Sequence, residues 1–320
     1  MSDHPTPAPS QADPAPDCAP SPAAIDRQLR RLARLPEPPW LHQEVARRLA
    51  DKLGPIRLEP RDWIDWSARL GAGAALVQAR YPEARRWVVE PHPLLAEQSR
   101  QAEADAAPRG WRTLWRRPDL GDLVHAEPVS EHAPWRAEGA QMLWANMTLH
   151  AASDLPGLLS RWHRHLAVDG FLMCSGLGPD TGRELRVVYR AMGWPLPTID
   201  FIDMHDLGDE LVRAGFADPV MDMERLTLTW TSPQALLDEL RTWGGNVAQG
   251  RFAGLRTRAW RERLLAAIDQ HMRQPDGRIA LTLELVYGHA LKPLPRAKLA
   301  AETRVPLSDM RQMVRKKGQP

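Results

Sequence analysis

The stretch DWIDWSARLGAGAALVQARYP, residues 62–82, reads as a strand that runs into a glycine-rich turn and then a helix. Nucleotide-type cofactors are commonly held this way, against backbone amides at the start of a helix. Asp65 opens the turn and Gly71 closes it, but two intervening places where such a turn would carry glycine hold Ser67 and Arg69. Serine at such a place costs little if its φ is negative, whereas arginine puts a long cation where the backbone should touch a ligand. Three courses are open to Arg69: to obstruct the ligand, to pair with a ligand carboxylate, or to rotate outward. Glu90 ends the apolar run RRWVVE, 25 residues after Asp65, a spacing of the kind that lets a carboxylate accept both hydroxyls of a ribose. The plain alternative is a solvated acid at a strand end.

Further along, ANMTLHA places Asn146 and His150 just after an apolar strand. An imidazole there is either a base or a partly buried hydrogen-bonding group. Arg183 and Arg186 follow GPDT and offer bidentate donors to a carboxylate, or else stand as surface arginines on an amphipathic helix. Cys18 and Cys174 share no metal-type spacing, so neither a metal site nor a disulfide framework is expected.

These residues need a scaffold, and the patterning supplies one. WLHQEVARRLADKL puts Leu41, Val45, Leu49 and Leu53 on one stripe. DWIDW, a helix over LGAGAALVQARY with Leu70, Ala74 and Val77 inward, and RRWVVE make a strand, helix, strand unit. AQMLWAN is another strand, followed by a helix capped by Ser153 or Asp154 with Pro156 in its first turn, the Asp169-Gly170 turn and the strand FLMCSGLG. Asp206 is the expected N-cap of a helix that stops at Gly215, before a long strand. A helical insertion over about 233–274 then precedes the last strand, GRIALTLELVYGHAL. Such alternation implies a mostly parallel sheet with helices on both faces.

At 320 residues and 43% hydrophobic, the chain has enough material for one elaborated α/β domain. A net charge of +2 gives no ground for a nucleic-acid partner, and RQMVRKKGQP is too short and lacks interleaved aromatics. No apolar run is long enough to span a membrane, and the opening residues fail as a secretory signal, so a cytoplasmic protein is expected. Residues 1–24 read as a disordered Pro/Ala tail, 25–292 as the domain and 293–320 as a basic tail.

The segments LHQEVARRLADKL, NMTLH, GFLMCSGLGPDTGRELR, FIDMHDLGDELVRAGFADPVMDMERLTLTW and RIALTLELVYGHALKP occur in an order that resembles the class I, S-adenosylmethionine-dependent methyltransferases. More narrowly, they resemble the malonyl-[acyl-carrier protein] O-methyltransferase family of the biotin pathway. The likeness covers residues 40–293 and extends to a mitochondrial relative thought to hydroxylate arginine, so the reaction must be argued from the site. The resemblance implies a Rossmann-like, seven-stranded, mostly parallel sheet whose last strand is antiparallel. It implies S-adenosylmethionine across the carboxyl ends of the first strands, with Asp65, Ser67, Arg69 and Gly71 in the turn and Glu90 on the ribose. Asn146 and His150 fall where the methyl would meet its acceptor, and Arg183 or Arg186 where the acceptor carboxylate would be held. Malonyl-[acyl-carrier protein] is the implied partner; the rival reading is a non-catalytic homologue acting in binding or assembly.

Overall fold

The computed structural model describes residues 18–106, 123–252 and 254–295. Seven strands among them form one sheet in the order β3-β2-β1-β4-β5-β7-β6, where β1 is Asp62–Trp66, β2 Arg85–Glu90, β3 Val124–Ala126, β4 Ala140–Ala145, β5 Leu166–Leu177, β6 Ala217–Trp230 and β7 Ile279–Leu291. All neighbouring pairs from β3 to β5 are parallel, and β7 runs antiparallel to both β5 and β6. The three-residue β3, which sequence patterning leaves unread, is the far edge.

Side chains in a strand alternate between faces, and here both faces are apolar. Trp63, Met142, Trp144, Phe171, Met173 and Tyr287 point to one core. Their neighbours Ile64, Leu143, Ala145, Leu172, Cys174 and Val286 point to the other. The first face is covered by α2 (Trp40–Asp51) with Leu41, Val45 and Leu49, by α7 (Arg183–Ala191) with Leu185 and Val188, and by α10 (Arg258–Met272) with Leu264 and Ile268. The second is covered by α6 (Leu155–His165) and α8 (Met204–Arg213) through Leu159, Trp162, Leu207 and Leu211. The insertion consists of α9 (Pro233–Thr242) and α10. No helix among the described residues is long and apolar enough to cross a membrane.

Three local readings change and one open alternative is decided. The helix expected over LGAGAALVQARY is two, α3 (Ala68–Gly71) and α4 (Ala74–Arg80), because Ala72 turns left-handed at φ 53° and breaks it; Ala74 is only half-buried. Asp154 caps α6, accepting from Gly157 N at 3.0 Å. The cap of α8 is Asp203, which accepts from His205 N at 2.8 Å; Asp206 is inside the first turn. Residues 18–24 are not tail: Gln249 N donates to Ala19 O at 2.9 Å and Ser21 N to Val247 O at 2.7 Å, and α1 (Pro22–Leu32) buries Ala24 against Ile199 and Val247. Residues 1–17, and 296–320 of the expected basic tail, lie outside the described residues.

Asp203→Ala is expected to cost about 1 kcal/mol, the ordinary loss of an N-cap, and Asp206→Ala only about 0.3–0.5 kcal/mol through the helix dipole. Urea unfolding of the two variants checks this; equal losses would mean that Asp203 is not the cap.

Candidate active site

A cleft of about 310 Å³ lies where the carboxyl ends of β1, β2 and β4 meet, the place where open α/β sheets bind ligands. Trp66, Ser67 and Leu70 form its floor, Pro91 and Met147 its sides, and His150 one end. Helix α1 roofs it with Ile25, Leu29 and Leu32, held down where Leu32 and Ala33 pack on Leu70 and Leu95.

The turn after β1 is built around backbone strain. Ser67 has φ 60°, so the serine stands in the left-handed region where glycine is free, contrary to the negative φ that would make it cheap. The turn closes with Gly71 N donating to Ser67 O at 2.7 Å. Arg69 takes the outward course: its Nη2 donates to Pro36 O at 2.7 Å, away from the cleft, and only its backbone N–H faces inward. That N–H donates to Glu90 Oε1 at 2.7 Å, an oxygen that also accepts from Ser99 Oγ at 2.7 Å. Glu90 is therefore not the exposed strand-end acid of the plain alternative; it is fully buried, with Oε2 lacking a partner. Burial pushes it up to about 7 against the pull of Ser99 Oγ–H and Arg69 N–H.

Asp65 is equally buried. Its Oδ2 receives Arg86 Nε at 2.9 Å and Nη2 at 2.8 Å, and Arg86 Nη1 reaches Glu103 at 2.7 Å. Burial drives the Asp65 carboxyl upward while Arg86 opposes it. The close backbone approach that a glycine turn implies falls at Gly73: a Cβ there would lie 2.2 Å from Trp144 Nε1, whereas at Gly71 it would meet nothing nearer than Asn146 O at 3.6 Å.

Asn146 stands behind the turn. Its Nδ2 donates to Gly71 O at 2.7 Å and to His42 O at 2.8 Å, and its Oδ1 accepts from Ser175 Oγ at 2.7 Å. With its amide committed, it positions the wall of the cleft without facing into it. The next residue, Met147, is left-handed at φ 55° and lines the cleft. His150 does face it, with Nδ1 unpartnered; burial and the nearby His42 hold its pKa down to about 3, which leaves a neutral imidazole. His42, its ring 6.4 Å from that of His150, lines the same cleft, and burial likewise lowers it to about 4. Arg183 and Arg186 are not brought to the cleft. The first pairs with Asp180 and Glu184, and the second donates to the carbonyls of Pro179 and Thr181. His42 and Gln28, whose Oε1 is buried without a partner, are cleft residues that sequence reading missed, because the stripe of α2 reads as apolar and α1 carries no motif.

A relative from Laribacter hongkongensis named malonyl-[acyl-carrier protein] O-methyltransferase is 40% identical over 81% of this chain and 86% of its own. The chain belongs to the malonyl-[acyl-carrier protein] O-methyltransferase family. Members from Gallionella capsiferriformans and Halorhodospira halophila are 37% and 35% identical over 80% and 83% of this chain, and 85% and 88% of theirs. No family model matches the chain. Among solved structures, a putative methyltransferase from Bacillus halodurans covers 78% of this chain, which spans all of it, at 13% identity and a TM-score of 0.49.

Two outcomes follow from the packing of this family member's turn. Gly73→Ala overpacks the Trp144 indole and is expected to cost about 1–3 kcal/mol, while Gly71→Ala is close to neutral for stability; thermal unfolding of both is the check, and a reversed order would refute it. For Glu90, the folded-state value lies above the ordinary 4.5, so the folded chain keeps a proton that the unfolded chain has lost between about pH 4.5 and 7, and stability falls as pH rises through that window. The stability of Glu90→Gln relative to the native chain is therefore expected to improve by on the order of 3 kcal/mol between about pH 4 and about pH 8. A pH-independent difference in urea unfolding would remove the buried-carboxyl account.

Proposed function

We propose that this chain transfers the methyl group of S-adenosylmethionine to the free carboxylate of malonyl-[acyl-carrier protein], an early step of biotin synthesis. The observation that carries the reading, within a family whose members bear that name, is a cleft at the carboxyl ends of the parallel strands that ends on a neutral, unpartnered imidazole. The cofactor supplies a methyl group on a sulfonium. The residues fit it: Glu90 Oε2 is an orphaned acceptor on a carboxyl whose Oε1 is already fixed by Arg69 N–H and Ser99, as a ribose hydroxyl requires, and the neighbouring Pro91 and the Ser67 turn line the cleft.

A carboxylate acceptor is already an anion at neutral pH, so no general base is needed and the protein's work is alignment and exclusion of water. His150 is suited to that work. Being neutral, it offers one hydrogen bond from Nδ1 in the tautomer that carries the proton there, enough to orient a carboxylate without neutralising it. Neither Arg183 nor Arg186 grips the acceptor, since both are engaged elsewhere. The non-catalytic reading drew on Ser67 and Arg69, and the outward guanidinium on Pro36 removes its steric motive.

Calorimetric titration with S-adenosylmethionine is expected to show binding, with Arg69→Ala within about twofold of the native affinity because the backbone N–H is retained. Methyl ester formation on malonyl-[acyl-carrier protein] by Glu90→Gln, which removes the carboxyl that titrates near 7, should then proceed with a kcat that is flat between about pH 6 and 8, since both malonyl carboxylate and His150 titrate well below that range. A kcat of Glu90→Gln that rises with a single ionisation in this range would overturn the base-free mechanism, and absence of cofactor binding by the native chain would overturn the function.

A further inference from the structure

Two more cavities adjoin the cleft in series. The first is an apolar chamber of about 260 Å³ lined by Leu185, Ile199, Phe201, Leu240, Val247 and Leu283. It shares Gln28 and His150 with the cofactor cleft, so the two spaces meet at those side chains. Three polar atoms in its wall are buried without a partner: Gln28 Oε1, His150 Nδ1 and Thr198 Oγ1. Among the described residues, no lysine, arginine or carboxylate lines it. Buried polar atoms are normally hydrogen-bonded, so this chamber matches an uncharged chain that carries a few amide-like groups.

The second is a hollow of about 450 Å³ that shares Leu237, Leu240 and Gly245 with the chamber. Its wall carries Arg31, Arg241, Arg256, Arg258 and Arg261. Arg241 pairs with Asp238 and Arg258 with Glu262. The other three have no carboxylate within ion-pair distance among the described residues. Arg31 donates to the carbonyl of Arg241, Arg261 to Gln234, and the Arg256 guanidinium lies 3.7 Å from the Phe252 ring and 4.4 Å from that of Trp260. Burial and the charge of Arg241 both push Arg31 below its ordinary value, a sign of crowded cations. Arg258 and Arg261 also occupy the first turn of α10, where a helix dipole favours acids and this helix has none. Clustered planar guanidiniums of this kind match a phosphate.

We propose that hollow, chamber and cleft form one path for the prosthetic arm of an acyl carrier protein, with the phosphodiester at Arg31, Arg256 and Arg261, the amide-bearing arm in the chamber where an arm N–H donates to Gln28 Oε1, and the acyl carboxylate at His150 Nδ1. The path rests on the reading of the chain as a malonyl-[acyl-carrier protein] methyltransferase. It accounts for a division that the site otherwise leaves without reason: among the described residues that line the path, the arginines without a carboxylate partner are at the outer end, whereas Arg161 of the cleft is paired with Glu127 and the acceptor meets a neutral imidazole. An acidic carrier surface meets the same arginines that hold the phosphate.

The test compares Arg256→Gln/Arg261→Gln and Arg256→Lys/Arg261→Lys with the native chain, on malonyl-carrier protein and on malonyl-pantetheine, which lacks the phosphate. The glutamine pair is expected to raise KM for the carrier substrate at least tenfold with kcat within about twofold and KM for malonyl-pantetheine unchanged, and the lysine pair to recover most of the loss. An unchanged KM for the carrier substrate, or an equal rise for both substrates, overturns the path. Binding measured without turnover separates the two readings: the native chain is expected to prefer the arm-bearing carrier over the armless one by at least tenfold. A native chain that shows this preference but forms no methyl ester sinks the reaction and leaves the path standing, whereas methylation without the preference sinks the path alone.

Discussion

The geometry of the site depends on one side-chain amide. Asn146 hydrogen-bonds the carbonyls of Gly71 and His42 and the hydroxyl of Ser175, and so joins the turn after β1, the start of α2 and the carboxyl end of β5 to the end of β4. Each of those partners is buried, where an unmade hydrogen bond costs the full desolvation of the group left behind. Four segments therefore have one low-energy arrangement. Ser175 relays it further, since its Oγ accepts from Met147 N and fixes the left-handed residue from which the His150 turn departs. The strained dihedrals at Ser67 and Met147 lie on either side of this amide, as expected where surrounding structure over-determines local backbone.

Around that tie, two buried carboxylates divide the electrostatic work. Asp65 is matched through Oδ2 by Arg86 and, through it, by Glu103, while its Oδ1 is buried without a partner. Glu90 is answered only by neutral donors, which is why burial dominates and its proton is held up to about 7. A carboxylate held by neutral donors on one oxygen keeps the other available to a hydroxyl, whereas a cation beside it would compete for both. The aromatic packing is consistent with this dryness: Trp63, Trp66 and Trp144 are all essentially without solvent contact.

The architecture was legible because both periods were strong. Alternation of large apolar residues along DWIDW, AQMLWAN and FLMCSG assigned strands with two buried faces, and the Leu41, Val45, Leu49 stripe assigned α2. What escaped was local and non-periodic. β3 is three residues long, too short for any pattern. Asp203 and Asp206 are equally good caps by type, and only the hydrogen bond to His205 N decides between them. In the site, residue type pointed to the turn, Glu90 and His150 but not to their surroundings. Whether an acid at a strand end is solvated or sealed depends on Ser99 and on the roof supplied by α1, both remote in sequence from β2. Arg183 and Arg186 were attractive as donors by type alone, and Asp180, Glu184 and two loop carbonyls had claimed them.

The placement of positive charge matters for rate as well as for binding. A bidentate arginine on the acceptor carboxylate would stabilise that anion in the ground state, and its charge is partly lost as the new C–O bond forms, so such a contact weakens on the way to the transition state and slows the step. A neutral imidazole avoids most of that loss. Attraction for the substrate must then come from a part that does not react, and binding energy gained far from the reacting atoms is the kind that can be used to hold them in line. The cations on α1, α9 and α10 sit in such a place, beyond an apolar chamber that separates them from His150.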